Sequence, residues 1–266
     1  MPQQDSFDQK KLSIVNEINS SQPDLSPKGT IDELCLPIIQ LINGHRDMVT
    51  TSSCSGRLSV FVEGSKRLQD STRVSGKGEG GKWLFVTHNS SEVSGWLTSL
   101  IARHPEYKIK LVTDCPPDDS SNTVVRYILY KYESFILHVK CRDFTTASQL
   151  YNVAMSCGFR ESGIGSNHIV AIRTNINLDV PIGYLDENTE ELRIFVGSDY
   201  IKFLDSLTLT KFEENARKMN RLYGKIDQEI INAPVLPTKE RETREERRER
   251  KRREGLERQQ QLRNVD

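Results

Sequence analysis

The sequence predicts a mixed α/β domain of the α+β kind, non-Rossmann, with a largely antiparallel mixed sheet and a charged C-terminal extension. Two observations predict it. Short apolar runs with strand character alternate with helix-period segments from residue 5 to 223. Several of the connections between them are too short for parallel crossovers, which favours antiparallel pairs. A third observation sets the boundary: "TKERETREERRERKRREGLERQQQLR" has almost no apolar residues. Residues 1–223 therefore read as one domain and 224–266 as a charged tail.

The elements follow in order. Residues 5–19 read as a helix with Phe7, Leu12, Ile14, Val15 and Ile18 on one side. "SSQPDLSPKG" breaks it. Thr30 and Glu33 have capping-box spacing and predict a helix running to Ile42, with Pro37 as a kink. "MVTT" and "LSVFVEG" read as strands, and the polar, glycine-rich stretch "SKRLQDSTRVSGKGEGG" as a mobile loop. "KWLFVTH" is a strand, and "SSEVSGWLTSLIARH" a helix capped near Ser90 or Ser91. "YKIKLVTD" alternates as a strand does. "VVRYILYKYESFILHVKC" reads as two strands around Glu133 and Ser134. Residues 144–157 form a helix stopped by Gly158. "HIVAIRT" and "ELRIFV" are strands, and a long helix runs from Ser198 or Asp199 to about Tyr223. Its expected buried face holds Phe203, Leu204, Leu207, Met219 and Leu222.

The chain has 266 residues, 28% charged and 36% hydrophobic, with 37 basic and 37 acidic side chains balancing to zero. That balance gives no global pull toward nucleic acid, though local basic patches remain. Five cysteines without a C-x-x-C pair argue against a structural zinc site, and no metal is expected. No secretory leader and no run of about 20 apolar residues is present. The expectation is a soluble cytoplasmic protein with no membrane partner.

One stretch draws attention, "TSSCSGRLSVF". Hydroxyls at Ser52, Ser53 and Ser55 with backbone N–H groups can cup a carboxylate or phosphate, and Gly56 admits close approach. Arg57 adds a bidentate cation. An ordinary Ser/Gly turn has the same composition. Cys54 is either a nucleophile or an inert buried thiol. His88 ends an apolar strand and His138 lies inside one; each is a catalyst only if it faces a cleft. Trp83, beside Lys82, is core or a platform for stacking a base. "GFRESGIG", holding Arg160, Ser162 and Gly163, repeats the glycine, serine and arginine theme and can form a second anion-binding turn. "RRERKRR" in the tail is a solvated helix or an arm that steers RNA. No glycine fingerprint for a dinucleotide or nucleotide is present.

Taken together, "TTSSCSGRLSVFVEG", "GGKWLFVTH", "YESFILHVKCRDFTTASQL", "GFRESGIG" and "LDVPIG", in this order and spacing, resemble the wybutosine-synthesising protein 3 family of tRNA methyltransferases over residues 5–223. The resemblance implies a non-Rossmann enzyme that uses S-adenosylmethionine to methylate N4 of the tricyclic 7-aminocarboxypropyl-4-demethylwyosine at position 37 of tRNA-Phe. It implies the anticodon loop as partner and association with other enzymes of that pathway. On this reading Ser52, Ser53, Ser55, Arg57, Ser162 and Gly163 bind the donor. Lys82, Trp83 and Arg160 bind RNA, and His88, then His138, takes the proton. The competing expectation is a tRNA-binding scaffold without enzymatic activity.

Overall fold

The computed structural model describes residues 5–18, 20, 30–64, 80–113, 125–233, 248–249 and 252–253. The glycine-rich stretch 65–79, Cys115 and nearly all of the tail beyond 233 lie outside the described residues, as do the expectations placed on them.

The α+β class holds. Ten strands in two sheets and five α-helices make up the described part. The helices are α1 Ser6–Ile18, α2 Leu36–Gly44, α3 Trp96–Arg103, α4 Phe144–Ser156 and α5 Ser198–Ile226. The strands are β1 Met48–Cys54, β2 Arg57–Val62, β3 Lys82–Thr87, β4 Lys108–Leu111, β5 Arg126–Glu133, β6 Ile136–Cys141, β7 Gly163–Ile164, β8 Ile169–Arg173, β9 Leu178–Asp186 and β10 Glu191–Ile194. The smaller sheet runs β1-β6-β8-β7 and the larger β3-β2-β5-β9-β10-β4. Every pairing is antiparallel except β10 with β4.

The two sheets share a corner. β1 pairs with β6 down to Cys54 opposite Ile136, and β2 pairs with β5 starting from Arg57 opposite Glu133. The strands therefore form one long antiparallel ribbon that bends at Ser55–Gly56 and Ser134–Phe135. Gly56 makes the bend possible. Its φ is +100°, and a Cβ there would stand 3.1 Å from the Asn215 amide nitrogen and 3.2 Å from the Glu133 carbonyl oxygen.

Each sheet has its own apolar core. Leu137, Val139, Val170 and Ile172 of the small sheet pack with α2, α4 and the end of α5. Leu58, Val60, Ile128, Tyr130 and Ile182 of the large sheet pack with α3 and the beginning of α5. α5 thus serves both, with Ile201, Leu204 and Phe212 on one core and Met219, Leu222 and Ile226 on the other. At 29 residues it is about 43 Å long, enough to span the corner.

The buried stripe of α5 is partly polar, and each polar group has a task. Asn215 accepts from the Phe135 N–H (2.8 Å) and donates to the Ser55 carbonyl (2.8 Å), closing the bend from both strands. Asp205 accepts from the Tyr130 hydroxyl at 2.9 Å. Burial pushes the Asp205 carboxyl above its ordinary value. Phe203, expected inside, is 55% exposed, because the stripe passes through Leu204, Asp205 and Thr208 instead.

Other boundaries also differ. The Thr30–Glu33 capping box does not form. Asp32 precedes a single 3-10 turn, Glu33–Cys35, and its side chain does not cap that turn. Pro37 lies in the first turn of α2, where its missing N–H costs nothing, so it starts that helix rather than kinking it. Asn89, not Ser90 or Ser91, caps the 3-10 turn Ser90–Glu92, and left-handed Gly95 separates that turn from α3. β9 was not expected, because Pro181 interrupts its pattern. The register shift between Ile128 and Leu129 on β5, beside Pro181, accommodates the missing donor. Finally, α5 runs through Gly224, and Ile226 and Ile230 are buried, so packed structure continues past position 223. By its contacts the chain divides into Met1–Ile231 and Asn232–Asp266. In the second unit, Arg248, Glu249, Arg252 and Arg253 are helical and exposed.

Candidate active site

The bend in the ribbon opens a broad cleft of about 2180 Å³, walled by β1, the β1–β2 corner, β3 and the segment before α2. Sites for one small molecule commonly measure about 300–1,000 Å³, so this cleft has room for two ligands. α1 contributes Ile14, Glu17 and Ile18 to its rim.

At its centre three side chains converge. Asp32, only 8% exposed, accepts from both the Ser55 N–H (2.8 Å) and the Ser55 hydroxyl (3.2 Å). His88 Nε2 lies 3.5 Å from Asp32 Oδ2 and 3.7 Å from Cys54 Sγ. His88 is held there because Asn89 turns the chain sharply after β3, with Thr87 Oγ1 accepting from the Asn89 N–H and donating to Glu92. Burial raises the Cys54 thiol above its ordinary value, and the Asp32 carboxylate adds to this against the lowering pull of the Gly56 N–H. The ligand atoms of Asp32, Cys54 and His88 lie within 4.8 Å of one another, a set that can hold a metal ion. Asp32 already serves two Ser55 donors, and a protonated thiol is a poor ligand.

Arg57 lies at the mouth. Its Nε donates to Glu133 at 2.6 Å, and its guanidinium carbon sits 5.2 Å from the centre of the Trp83 ring. Trp83 is braced edge-on by Phe61. Thr50 Oγ1 is buried on the cleft wall and has no hydrogen-bond partner among the described residues.

Of the expected site residues, Ser52, Ser53, Ser55, Arg57, Trp83 and His88 all line this cleft. Lys82 lies one residue beyond it, with Nζ 3.9 Å above the Tyr107 ring. His138, Ser162, Gly163 and Arg160 are not brought to the cleft. His138 is on β6, opposite Ser52. Ser162 Oγ accepts from the Arg173 N–H at 3.1 Å, and Gly163 belongs to the edge strand β7, three positions across the small sheet from β1. Arg160 is exposed beyond α4. Two participants escaped the sequence reading. Asp32 was passed over as part of a helix start, and Glu133 as a turn residue. An aspartate in a short polar approach to an apolar helix is the one signal that pointed to Asp32.

The chain is a methyltransferase by family, for the family model described as "Methyltransferase TYW3" matches residues 9–228. It belongs to the TYW3 family. The tRNA wybutosine-synthesizing protein 3 of Saccharomyces cerevisiae is 60% identical over 99% of this chain and 98% of that one. The protein of the same name from Schizosaccharomyces pombe is 40% identical over 85% and 88%. Among solved structures, the PH1069 protein of Pyrococcus horikoshii OT3 superposes with a TM-score of 0.60 at 27% identity, over 84% of this chain and 94% of that one. No described helix is long and apolar enough to cross a membrane.

Proposed function

We propose that the protein methylates N4 of 7-aminocarboxypropyl-4-demethylwyosine at position 37 of tRNA-Phe, in the cytoplasm, with S-adenosylmethionine as donor. The observation that carries the reading is the Asp32–His88 pair beside an arc of small hydroxyls in a cleft sized for two ligands. Its relatives' names, which speak of tRNA and wybutosine synthesis, support the substrate. An Arabidopsis thaliana relative named protein 2/3/4, of which this chain covers 20%, supports work beside other enzymes of the pathway.

The cleft fits the donor chemically. The Thr50 hydroxyl, which has no partner among the described residues, and Ser52 and Ser53 offer hydrogen bonds to its polar ends. When bound, S-adenosylmethionine supplies an electrophilic methyl group on a sulfonium. The chain's residues do the rest. Trp83 and Arg57 wall the side where the base enters, and stacking on Trp83 holds a base splayed from a single-stranded loop. His88 accepts the proton that leaves N4 as the new N–C bond forms and the C–S bond breaks. The Asp32 carboxylate, 3.5 Å away, stabilises the resulting imidazolium. His138, outside the cleft, takes no proton in this scheme.

The test is methyl transfer to tRNA-Phe carrying the demethylated tricycle, read by mass spectrometry of the digested nucleosides. One added methyl on the tricycle, and none on unmodified guanosine, is the expected result. Equal activity on both, or no donor binding by titration, overturns the reading. The second outcome leaves a tRNA-binding scaffold.

A further inference from the structure

The small sheet has a second face, and its residues are continuous with the cleft. Directly opposed residues on neighbouring strands project to the same side. One such row runs Ser52–His138–Ala171–Gly163 and the next runs Cys54–Ile136–Arg173. Each begins at a cleft residue and crosses the sheet. Lys140, opposite Ile169, flanks the first row on its other side. The inward positions Leu137, Val139, Val170 and Ile172 are wholly buried, while Arg173 is exposed and His138 and Lys140 are partly so.

The charge on this face is one-sided. Its strand positions carry Lys140 and Arg173 and no carboxylate. Among the described strand arginines, Arg57, Arg126 and Arg193 each pair with an acidic side chain. Arg173 does not: its guanidinium meets His138 Nε2 at 3.2 Å. Burial, and then Arg173 itself, hold His138 below its ordinary value, so the neutral ring accepts from Arg173 and aims it. Lys140 Nζ rests on the Asn167 carbonyl at 3.1 Å, also without a carboxylate. Between the two cations the floor is low. Ala171 and Gly163 are the smallest residues of their row, and a Cβ on Gly163 would meet open space.

From these positions we infer that this face is an RNA-binding track, on which Arg173 and Lys140 hold backbone phosphates of the strand flanking the nucleotide in the cleft. The inference rests on the tRNA reading above. Strands are about 4.8 Å apart, so the Arg173 row position lies roughly 10 Å across the sheet from Cys54. A tRNA strand that leaves the cleft across the sheet, along the rows that start at Ser52 and Cys54, meets Arg173 and Lys140 next. Ser162, which holds the Arg173 backbone, then supports the track rather than the donor.

The experiment measures affinity for an unmodified tRNA-Phe transcript, over a range of salt, for wild type, the double variant Arg173→Ala/Lys140→Ala, and the charge-keeping Arg173→Lys/Lys140→Arg. Donor affinity is measured in parallel as a control on the cleft. Affinity for tRNA should fall at least about tenfold in the alanine double variant, with a salt slope flatter by about two contacts. The charge-keeping variant should recover most of it, and donor affinity should stay at the wild-type value. Wild-type tRNA affinity in the alanine variant overturns this inference and leaves the proposed reaction standing. Failure of the wild type to bind tRNA at all overturns both.

Discussion

Asp32 Oδ2 and His88 Nε2 stand 3.5 Å apart, although one precedes α2 and the other follows β3. Ser55 holds the carboxylate from behind through two hydrogen bonds, so its position is fixed before any ligand arrives. Asp32→Asn keeps the shape and removes the charge. We expect methyl transfer to fall at least about 100-fold, the scale on which proton transfer contributes, while donor affinity changes much less. Single-turnover rates beside a donor titration decide it. An undiminished rate would remove Asp32 and His88 from the proton's path.

Cys54 gives a pH prediction. Its thiol is raised by burial, and only the thiolate is nucleophilic. Iodoacetamide should therefore modify Cys54 more slowly than a free thiol near neutral pH, with the rate still climbing above the ordinary value of 9.0. Peptide mapping after timed alkylation reads this directly. Rapid labelling at neutral pH would mean an activated thiol and a covalent role.

These two residues show what was legible in the sequence. The hydroxyl-rich corner, Arg57 and His88 were visible because their residue types crowd a short span. Asp32 was not, because its partners lie 23 and 56 positions away and local spacing offered a cap as the cheaper explanation. The strands and helices were largely legible from periodicity. β9 was hidden by Pro181, and the true face of α5 by Asp205, Thr208 and Asn215, which look like solvent residues until their buried partners are known. The division into two sheets was invisible, since periodicity does not say which strand pairs with which.

Asn215 satisfies two buried backbone groups on two strands. Asn215→Ala leaves both unpaired, at about 1–3 kcal/mol each. Melting should drop by at least about 4 °C, given roughly 2–4 °C per kcal/mol for a domain of this size. An unchanged melting temperature would show that the corner closes without α5.

Arg142 binds Asp5, Asp8 and Asp47 and covers the Phe7 ring, tying α1 to the start of the β1–β6 pair. The Phe7 N–H, and then Arg142, lower the Asp5 carboxyl; at Asp47, burial raises it but Arg142 and Arg46 prevail. Lowered carboxyls stabilise fully above their ordinary 3.8 and lose that contribution as pH falls through the folded-state value. α1 should therefore loosen in acid before the sheets do, and at neutral pH in Arg142→Ala. Hydrogen exchange resolved to residues 6–18 checks both. Protection in α1 equal to wild type would show that the knot is ornamental.

Truncation separates packed from unpacked C-terminal residues. Ending the chain after Tyr223 deletes Ile226 and Ile230, and burial of each is worth about 1.5–3 kcal/mol. That variant should melt well below wild type, and one ending after Ala233 should melt with it. Equal melting of both would place the end of the core before position 224.

The long helix also orders events during synthesis. Domains assemble from the N-terminus as the chain emerges. Both strands at the bend exist by residue 141, yet the side chain that fastens them comes 160 residues after Ser55. A nascent chain therefore carries its paired strands with the corner unlatched until α5 arrives. The cleft beside that corner, which Leu209, Phe212 and Glu213 of α5 also line, is therefore complete only once α5 has emerged.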